Sequence, residues 1–396
     1  MKIAIPRERR AGENRVAASP ETVKKIKGLG LDVVVETGAG LGSNLPDRVY
    51  QDAGAEIAPD AASALADADI VLKVQRPLLA GEGDLDELAL IKRGALLFAI
   101  LNPYNSRDHV AAYAAAGVNA FAMEFMPRIT RAQVMDVLSS QANLAGYKAV
   151  IDAASEYGRA YPMMMTAAGT VPPARAFIMG VGVAGLQAIA TAKRLGAIVS
   201  ATDVRPAVKE QVQSLGGSFV AVENDEFKQA ETAGGYAKEM SDDYKRQQAA
   251  LVAEHIKKQD IVITTALIPG RKAPILVTRE HVASMKPGSV LIDLAVEQGG
   301  NVEGSELGKV VVTDNGVKIV GHANYPSRIA ESASLLYAKN LLALLQSLHD
   351  KDPEDSKKGR VTLNWDDEIV KAIALTRDGQ VVHPAFADTV REVQTV

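Results

Sequence analysis

Short apolar runs alternate with amphipathic helical patterns along most of this 396-residue chain. The runs have the length of buried strands, and the segments between them carry apolar residues at the spacing of a helix face. Such alternation is typical of parallel sheets covered by helices, so the pattern predicts an α/β fold. The predicted strands are residues 2–6, 32–36, 70–74, 95–101, 120–123, 175–179, 197–202, 218–222, 260–265, 289–293 and 317–320.

A glycine-rich turn directly follows the predicted strand 175–179. Its spacing, Gly180-x-Gly182-x-x-Gly185, is the dinucleotide fingerprint: the first glycine permits a tight turn, the second admits a pyrophosphate, and the third lets helix and strand pack closely. The helix behind the turn would present free backbone N–H groups to a phosphate. The alternative is a packing turn that binds no ligand. The candidate phosphate-binding residues are Gly180, Val181, Gly182, Val183, Ala184 and Gly185.

The next predicted strand ends at an acidic residue, Asp203, which lies 18 residues after Gly185. A carboxylate near this position binds the hydroxyl groups of the adenosine ribose in NAD-binding folds. Arg205 could instead accept the 2′-phosphate of NADP, but Asp203 would repel that phosphate, so the sequence favours NAD(H). The other candidate cofactor-binding residues in this part of the chain are Val204, Gln248, Ala266 and Leu267.

Composition narrows the classes of function. The chain has no cysteine, which excludes disulfides and thiolate chemistry, and its net charge of −4 argues against general nucleic-acid binding. No run approaches the ~20 apolar residues that span a bilayer, and the first residues lack the apolar core of a signal peptide, so we expect a soluble chain. The six histidines lack the spacing of metal ligands, and we predict no metal site. Only His322, which follows a predicted strand, is a candidate site residue.

The polar segment 126–140 lies at the predicted domain boundary and has two interpretations. It can be a solvated linker in which Ser139 or Ser140 caps the following helix. Alternatively, it is a loop that reaches the nicotinamide end of the cofactor, with Gln133 and Ser139 as hydrogen-bonding groups. The four candidate residues of this loop are Arg128, Gln133, Asp136 and Ser139.

Two further sets of residues have a structural and a functional interpretation. Gly235 and Tyr236 lie in a charged stretch, residues 223–248, that lacks a strong apolar stripe. They form either a surface turn or a lid with a glycine hinge. Arg15 and Lys73 lie near predicted strand–loop ends and are either surface charges or a pair that binds a carboxylate.

Four segments complete the predicted organisation. Residues 163–173 predict a hairpin-like protrusion, and residues 335–348 predict a strongly apolar helix. Residues 350–360 have the composition of a polar linker. Residues 361–382 predict a small hairpin in which Asp378-Gly379 forms the tight turn.

Three segments together resemble one family. Residues 166–205, which include the fingerprint, with residues 127–147 and 231–240, are similar to the NAD(H)-binding alpha subunit (domain I) of proton-translocating NAD(P)+ transhydrogenases, in the alanine dehydrogenase/transhydrogenase family. The resemblance extends from residue 2 to about residue 384. It implies two Rossmann-like, doubly wound parallel-sheet domains separated by a cleft. The implied domains are residues 1–138 completed by 330–396, and an NAD(H)-binding domain of residues 139–329.

The resemblance also implies a reaction and the residues that serve it. NADH bound here would pass a hydride directly to NADP+ on a partner subunit, without a metal. The loop of Arg128, Gln133, Asp136 and Ser139 would lie beside the nicotinamide, with Gln133 directed toward the partner's nucleotide. Asp203 and Arg205 would hold the adenosine ribose. Gly235 and Tyr236 would belong to the lid.

An assembly is implied as well. Other subunits would bind NADP(H), span the membrane and couple hydride transfer to proton translocation. The chain would form a homodimer to which residues 163–173 contribute, and it would be separate from the membrane-spanning subunits. Its expected location is the cytoplasmic side of the inner membrane, where the partner subunits would hold it.

Alanine dehydrogenase is the main competing interpretation, because Asn14-Arg15 and the segment 73–77 resemble its substrate-binding segments. Two departures count against it. Asn102-Pro103 stand where that enzyme has a catalytic histidine, and Glu297 stands where it has an aspartate. A regulatory protein that binds NADH without turnover is a third possibility.

Overall fold

The computed structural model describes residues 1–229, 240–268, 270–355 and 358–388. The chain forms two compact units, Met1–Gln141 with Ser327–Val396, and Ala142–Pro326. The two domains expected from the sequence, with boundaries at 138/139 and 329/330, remain a prediction.

The first unit is built on a parallel sheet, with strand order β3-β2-β1-β4-β5-β6. Its strands are β1 (Lys2–Ile5), β2 (Asp32–Glu36), β3 (Glu56–Ala58), β4 (Ile70–Gln75), β5 (Leu96–Ile100) and β6 (Asn119–Ala122). Its first helices are α1 (Pro20–Gly28), α2 (Asp47–Asp52), α3 (Ala61–Leu65), α4 (Glu87–Leu90) and α5 (Arg107–Ala116).

Both faces of this sheet are buried, which explains why its strands are continuous apolar runs. Successive side chains of a strand point to opposite faces. Ile3 and Ile5 accordingly join one core cluster, whereas Ala4, between them, joins another. Polar side chains that could form a site are therefore expected at the ends of these strands.

The second unit contains a larger sheet, with strand order β11-β10-β9-β12-β13-β15-β14. Within the described part of this sheet the strands pair in parallel, except for the antiparallel pair β14–β15. Its strands are β9 (Arg175–Met179), β10 (Ile198–Thr202), β11 (Ser218–Phe219), β12 (Ile261–Thr264), β13 (Val290–Asp293), β14 (Val310–Val312) and β15 (Lys318–Val320), preceded by the hairpin strands β7 (Met164–Thr166) and β8 (Gly169–Val171). The helices are α6 (Val137–Glu156), which begins in the first unit, α7 (Val183–Arg194), α8 (Val208–Ser214), α9 (Asp225–Lys228), α10 (Asp242–Ile256) and α11 (Arg279–Ser284).

The C-terminal segment packs in the first unit. Its elements are α12 (Ala330–Leu348), β16 (His349–Lys351), β17 (Gly359–Val361), α13 (Glu368–Ile373), β18 (Thr376–Arg377) and β19 (Gln380–Val381). Tyr337 and Leu341 of α12 join the core cluster of Ile3. The Leu375 N–H donates to the carbonyl of Ala120 at 2.8 Å. The segment thereby covers strands that lie more than two hundred residues earlier in the chain.

The structure confirms some local predictions and corrects others. The protrusion at 163–173 is a hairpin, β7–β8, and Asp378-Gly379 forms the turn between β18 and β19 with φ of 49° and 83°. The supposed linker 350–360 is wrong in part, because its two ends pair as β16 and β17. The region 361–382 contains α13 as well as the hairpin. The charged stretch 223–248 contains α9 and the start of α10.

Candidate nucleotide-binding site

The glycine turn between β9 and α7 is constrained by packing at its first and third glycines. Gly180 has φ of 100°, in the region that favours glycine, and a Cβ there would lie 2.5 Å from the Thr265 hydroxyl. That hydroxyl donates to the carbonyl of Gly180 at 3.0 Å. A Cβ on Gly185 would overlap the same carbonyl oxygen. Gly180 therefore lets the turn approach the residues that follow β12, and Gly185 lets helix α7 approach the end of β9.

The second glycine of the turn faces open space. A Cβ on Gly182 would meet no described heavy atom within 4 Å, and its φ of −81° is one that any residue adopts. Steric packing against the described residues therefore does not require a glycine here. Gly182 is also the N-cap of α7 and supplies no side-chain acceptor, so the first-turn N–H groups point into that space. An open turn at a positive helix end fits the pyrophosphate of a dinucleotide.

Asp203 links the end of β10 to this turn. Its carboxylate accepts a hydrogen bond from the N–H of Val181 at 2.7 Å and from Nε of Arg205 at 2.9 Å. The Arg205 guanidinium also donates to the carbonyl of Val181 at 3.2 Å. The Asp203 side chain is 7% exposed and that of Arg205 31%. Val204, between them, is exposed. The acid is therefore held at the glycine turn by hydrogen bonds rather than pointing freely into solvent.

The other candidate cofactor-binding residues lie along the same edge of the second sheet. The Gln248 amide donates to the Thr202 hydroxyl at 3.2 Å and accepts from the N–H of Val222 at 2.9 Å. Ala266 and Leu267 follow the end of β12, and Leu267 is about half exposed. Gly235 and Tyr236 lie outside the described residues.

The four candidate loop residues belong to the first unit. Arg128 and Gln133 are exposed, and Gln133 lies in a 3₁₀ turn, Thr130–Met135. Asp136 and Ser139 are half-buried and bonded to each other, because the Asp136 carboxylate accepts from both the backbone N–H and the hydroxyl of Ser139. The roles assigned to these residues remain predictions.

The expected helix cap at Ser139 or Ser140 is wrong. Helix α6 begins at Val137, and Asp136 occupies the capping position, since its carboxylate accepts the Ser139 N–H at 2.9 Å and its carbonyl accepts the Ser140 N–H at 3.2 Å. An aspartate satisfies the free N–H groups of a first turn as well as a serine does. The sequence offers both residues three positions apart, and the helix begins one turn earlier than predicted.

Arg15 and Lys73 are not surface charges. The Lys73 side chain is 1% exposed, and its ammonium lies 2.9 Å from a carboxylate oxygen of Glu87 and 3.4 Å from one of Glu8. Arg15 is 3% exposed and donates twice to Glu13, at 2.6 and 2.8 Å. Carboxylates of the chain itself thus neutralise both cations. Burial raises the pKa of Glu8 to about 7, and the lysine beside it opposes that rise.

His322 follows the end of β15, and its ring centroid lies 6.2 Å from that of Tyr325. Its role remains a prediction. Among the described residues, no cluster of three histidine and carboxylate side chains is arranged to hold a metal ion. No helix in the described ranges is long and apolar enough to cross a membrane.

Sequence reasoning missed one residue of this edge, Asn301. It is fully buried, and its side-chain amide bonds both the N–H and the carbonyl of Ala266, at 3.0 and 2.9 Å. No spacing rule identifies it, because its side-chain amide bonds backbone atoms that lie 35 and 27 residues away in the chain.

A parallel α/β sheet, an open glycine turn and an acid at the end of the adjoining strand together define a dinucleotide-binding protein with a Rossmann-type sheet. The chain belongs to the alanine dehydrogenase/PNT family: the model of the N-terminal domain of that family matches residues 4–145 and the model of the C-terminal domain matches residues 149–384. The predicted family and the α/β fold are confirmed.

Three similar proteins illustrate the relationship. A Rhodospirillum rubrum protein, named as the first part of NAD(P) transhydrogenase subunit alpha, is 60% identical over 386 residues, which cover 98% of this chain and 99% of the relative. A transhydrogenase structure from Sinorhizobium meliloti has a TM-score of 0.85 at 59% identity, covering 96% of this chain and all of that one. Alanine dehydrogenase of Mycobacterium tuberculosis is 32% identical over 77% of this chain and 75% of the relative.

These relationships support an NAD(P) transhydrogenase function and, through the family, NAD(H) binding. The name of the Rhodospirillum relative describes a portion of one subunit. That name implies that this kind of chain works with other subunits.

Proposed function

We propose that this chain is the NAD(H)-binding subunit of a proton-translocating transhydrogenase. Hydride passes directly from NADH held here to NADP+ on a partner subunit, and other subunits couple this transfer to proton movement across a membrane. The observation that carries the proposal is the turn left open at Gly182 in a chain so similar to transhydrogenase alpha subunits.

The second unit supplies the binding groups. The glycine turn, Gly180–Gly185, admits the pyrophosphate, the first-turn N–H groups of α7 bind it, and Asp203 accepts hydrogen bonds from the adenosine ribose. Arg205 keeps the Asp203 carboxylate oriented through two N–H donors, a geometry that lysine cannot reproduce. Val204, Gln248, Ala266 and Leu267 complete the wall at the sheet edge. The same carboxylate disfavours the 2′-phosphate of NADP.

Bound NADH supplies the hydride, and the protein needs no general acid or base for its transfer. What the chain must provide is a dry site that holds the two nicotinamide rings at roughly 3–3.5 Å. In this proposal the loop of Arg128, Gln133, Asp136 and Ser139 lies beside the nicotinamide. The Asp136–Ser139 bonds stiffen the base of that loop, and the exposed Gln133 reaches toward the partner's nucleotide. Gly235 and Tyr236 belong to a lid.

The proposal includes an assembly. The β7–β8 hairpin presents Met163, Met164 and Met165, which are 58%, 43% and 80% exposed, and clusters of exposed apolar side chains are typical of interfaces. This supports a homodimer formed in part through the hairpin. The proposed location is the cytoplasmic side of the inner membrane, peripheral and held by the partner subunits.

Alanine dehydrogenase is the second candidate, favoured by the 32% identity to the Mycobacterium enzyme. The charges of the first unit support it poorly. Lys73, the expected substrate-binding lysine, is turned into the core against Glu87. The residue that ends β4 is Gln75, which carries no charge. Asn102 follows β5 at the position where alanine dehydrogenase would need a histidine. Arg15, the other residue of the expected carboxylate-binding pair, is already paired with Glu13.

One experiment separates the candidates. The purified chain is titrated with NADH by fluorescence and then given NADH, pyruvate and ammonium while the absorbance of reduced nicotinamide is followed. We expect binding without turnover, and hydride transfer once an NADP-binding partner domain is added. Oxidation of NADH by pyruvate and ammonium would identify an alanine dehydrogenase. NADH binding with no transfer after the partner is added would favour a regulatory protein.

The loop assignment has its own test in the reconstituted reaction. Gln133→Ala should lower the transfer rate at least about tenfold and leave the NADH dissociation constant of the isolated chain unchanged, because Gln133 is assigned to the partner's nucleotide. Gln51→Ala removes an equally exposed glutamine from α2 and is the matched control. Equal rates for the two variants would remove Gln133 from the proposal.

A further inference from the structure

One buried side chain bonds both the backbone N–H and the backbone carbonyl of Ala266. The Asn301 side-chain oxygen accepts the Ala266 N–H at 3.0 Å, and its nitrogen donates to the Ala266 carbonyl at 2.9 Å and to the Pro274 carbonyl at 2.8 Å. Asn301 is fully buried. With its N–H and its carbonyl both bonded to the same amide, the Ala266 backbone cannot rotate without breaking two hydrogen bonds.

Asn301 is itself fixed by a second buried group. The Asp293 carboxylate, at the end of β13, accepts the Asn301 N–H at 3.0 and 3.1 Å and the Val302 N–H at 3.2 Å. Asp293 is fully buried. The chain approaches it so closely that a Cβ on Gly300 would lie 2.7 Å from the carboxylate oxygen. Charge-assisted hydrogen bonds of this kind are among the stronger ones in proteins, so the backbone of Asn301 has a rigid base.

The braced peptide adjoins the glycine turn. Thr265, immediately before Ala266, donates its hydroxyl to the carbonyl of Gly180. A chain of bonds therefore runs from Asp293 through Asn301 to Ala266, and across Thr265 to the fingerprint. Ala266 and Leu267 are the residues of this loop that the proposed site uses.

We infer that Asn301 is a positioning residue of the nucleotide site: it fixes the Ala266 peptide in the orientation that the cofactor requires before the cofactor binds. The inference rests on the proposed function and names one more residue of the same site. A preorganised loop has less conformational freedom to lose on binding, so it binds more tightly without a new contact. Asparagine suits the task because it offers a donor and an acceptor side by side, whereas aspartate would set an oxygen against the carbonyls of Ala266 and Pro274.

The test compares NADH binding and stability in three variants of the full chain. Asn301→Ser keeps a polar group but cannot bond both sides of the Ala266 peptide, and Asn301→Asp keeps the shape but loses the donor. Asn315→Ala is the matched control. The Asn315 side chain also binds backbone carbonyls, at 3.0 Å for Val282 and 3.3 Å for Met285, but it precedes β15 and so lies at the opposite edge of the same sheet.

We expect Asn301→Ser to raise the NADH dissociation constant about tenfold, and Asn301→Asp more, since lost bonds to a buried peptide cost about that much. Asn315→Ala should lower the unfolding temperature and leave NADH affinity within about twofold. If Asn301→Ser shifts only the unfolding temperature, as the control does, Asn301 has a structural role alone and the inference is wrong.

Hydrogen exchange of the wild type keeps the inference testable if a variant fails to fold. The amide hydrogen of Ala266 should exchange slowly without nucleotide, because the buried side-chain oxygen of Asn301 already accepts a hydrogen bond from it. Fast exchange there would overturn the inference. Failure of the wild type to bind NADH would instead contradict the proposed function. The two failures are therefore distinguishable.

Discussion

The carboxyl ends of the two sheets carry opposite kinds of polar surface. In the first unit, the strand ends hold buried charges that satisfy one another: Lys73 lies between Glu8 and Glu87, and Arg15 is paired with Glu13. In the second unit, the corresponding edge carries the ion pair of Asp203 with Arg205, next to a turn that is open at Gly182.

The difference shows what an α/β sheet needs in order to bind a dinucleotide. Charge alone does not make a site, because oppositely charged groups that are buried together neutralise each other and offer no available charge to a ligand. Backbone donors at the start of a helix, with open space before them, suit the phosphate groups of a dinucleotide. The two sheets share one type of topology, and the glycine turn at the end of β9 distinguishes the proposed binding edge from the structural one.

The largest effect should come from breaking the charge cluster of the first unit. Lys73→Met leaves Glu8 and Glu87 buried without their shared cation, and loss of one partner of a buried ion pair costs about 3–5 kcal/mol of unfolding free energy. Urea denaturation measures it. NADH affinity of the folded variant should stay unchanged, because the proposed nucleotide site uses neither Lys73 nor its two partners.

Lys25→Met is the control for that substitution. Lys25 pairs with Glu21 on the surface of α1, and its side chain is 52% exposed, so the same chemical change should cost less than about 1 kcal/mol. Equal losses in the two variants would mean that the burial of Lys73 contributes nothing. A loss of NADH affinity in Lys73→Met would mean that the two edges are not separate in function.

The second effect contrasts two glycines of one turn. Gly182→Ala adds a methyl group to open space, so stability should be unchanged while the NADH dissociation constant rises about tenfold or more. Gly185→Ala forces a methyl group onto the carbonyl of Gly180 and should cost about 1–3 kcal/mol of unfolding free energy in addition. Denaturation and fluorescence titration of both variants check this. Normal NADH binding by Gly182→Ala would show that the pyrophosphate is held elsewhere.

The sequence predicts the central strands of both sheets well because buried parallel strands are continuous apolar runs. It misses β14, which is only three residues long and exposes Val310 and Val312 by 37% and 63%. It also misses α10. That helix buries only Tyr244, Val252 and Ile256 in fifteen residues, which is too sparse a stripe to stand out among charged positions.

The polar groups of the two sheets also differ in how well the sequence predicts them. The fingerprint is local, so its glycines and Asp203 can be recognised from spacing alone. The burial of Lys73 depends on Glu8, far earlier in the chain, and the role of Asn301 depends on backbone atoms 35 residues away. Neither separation leaves a pattern in a single sequence. For that reason the sequence leaves a surface position open for Lys73 and gives no sign of Asn301.

The third effect is a pH dependence of stability that arises at the strand ends of the first unit, from Glu8. Burial raises the pKa of Glu8 from its ordinary 4.5 to about 7, so between these values the folded protein binds a proton that the unfolded chain releases. Unfolding free energy contributed by Glu8 is therefore present below pH 4.5 and falls as the pH rises toward 7, by at most about 1.4 kcal/mol per unit.

Glu8→Gln should remove this dependence, which denaturation at several pH values between 4.5 and 7 measures. The exposed Glu56→Gln is the control and should follow the wild type. A wild-type stability that rises with pH relative to Glu8→Gln would mean that the attraction of Lys73 outweighs the burial of Glu8.

The smallest effect concerns the choice between the two nicotinamide cofactors. Asp203→Asn keeps the shape of the side chain but removes the charge that accepts from Val181 and Arg205. Weakened charge-assisted bonds should raise the NADH dissociation constant by about fivefold. The affinity for NADPH should rise at the same time, because Arg205 is held less strongly and can meet a 2′-phosphate that no carboxylate repels. Fluorescence titration with both cofactors measures the ratio, and the exposed Asp243→Asn is the control. If the ratio stays at the wild-type value, Asp203 only holds the glycine turn in shape, and the preference for NAD(H) has another origin.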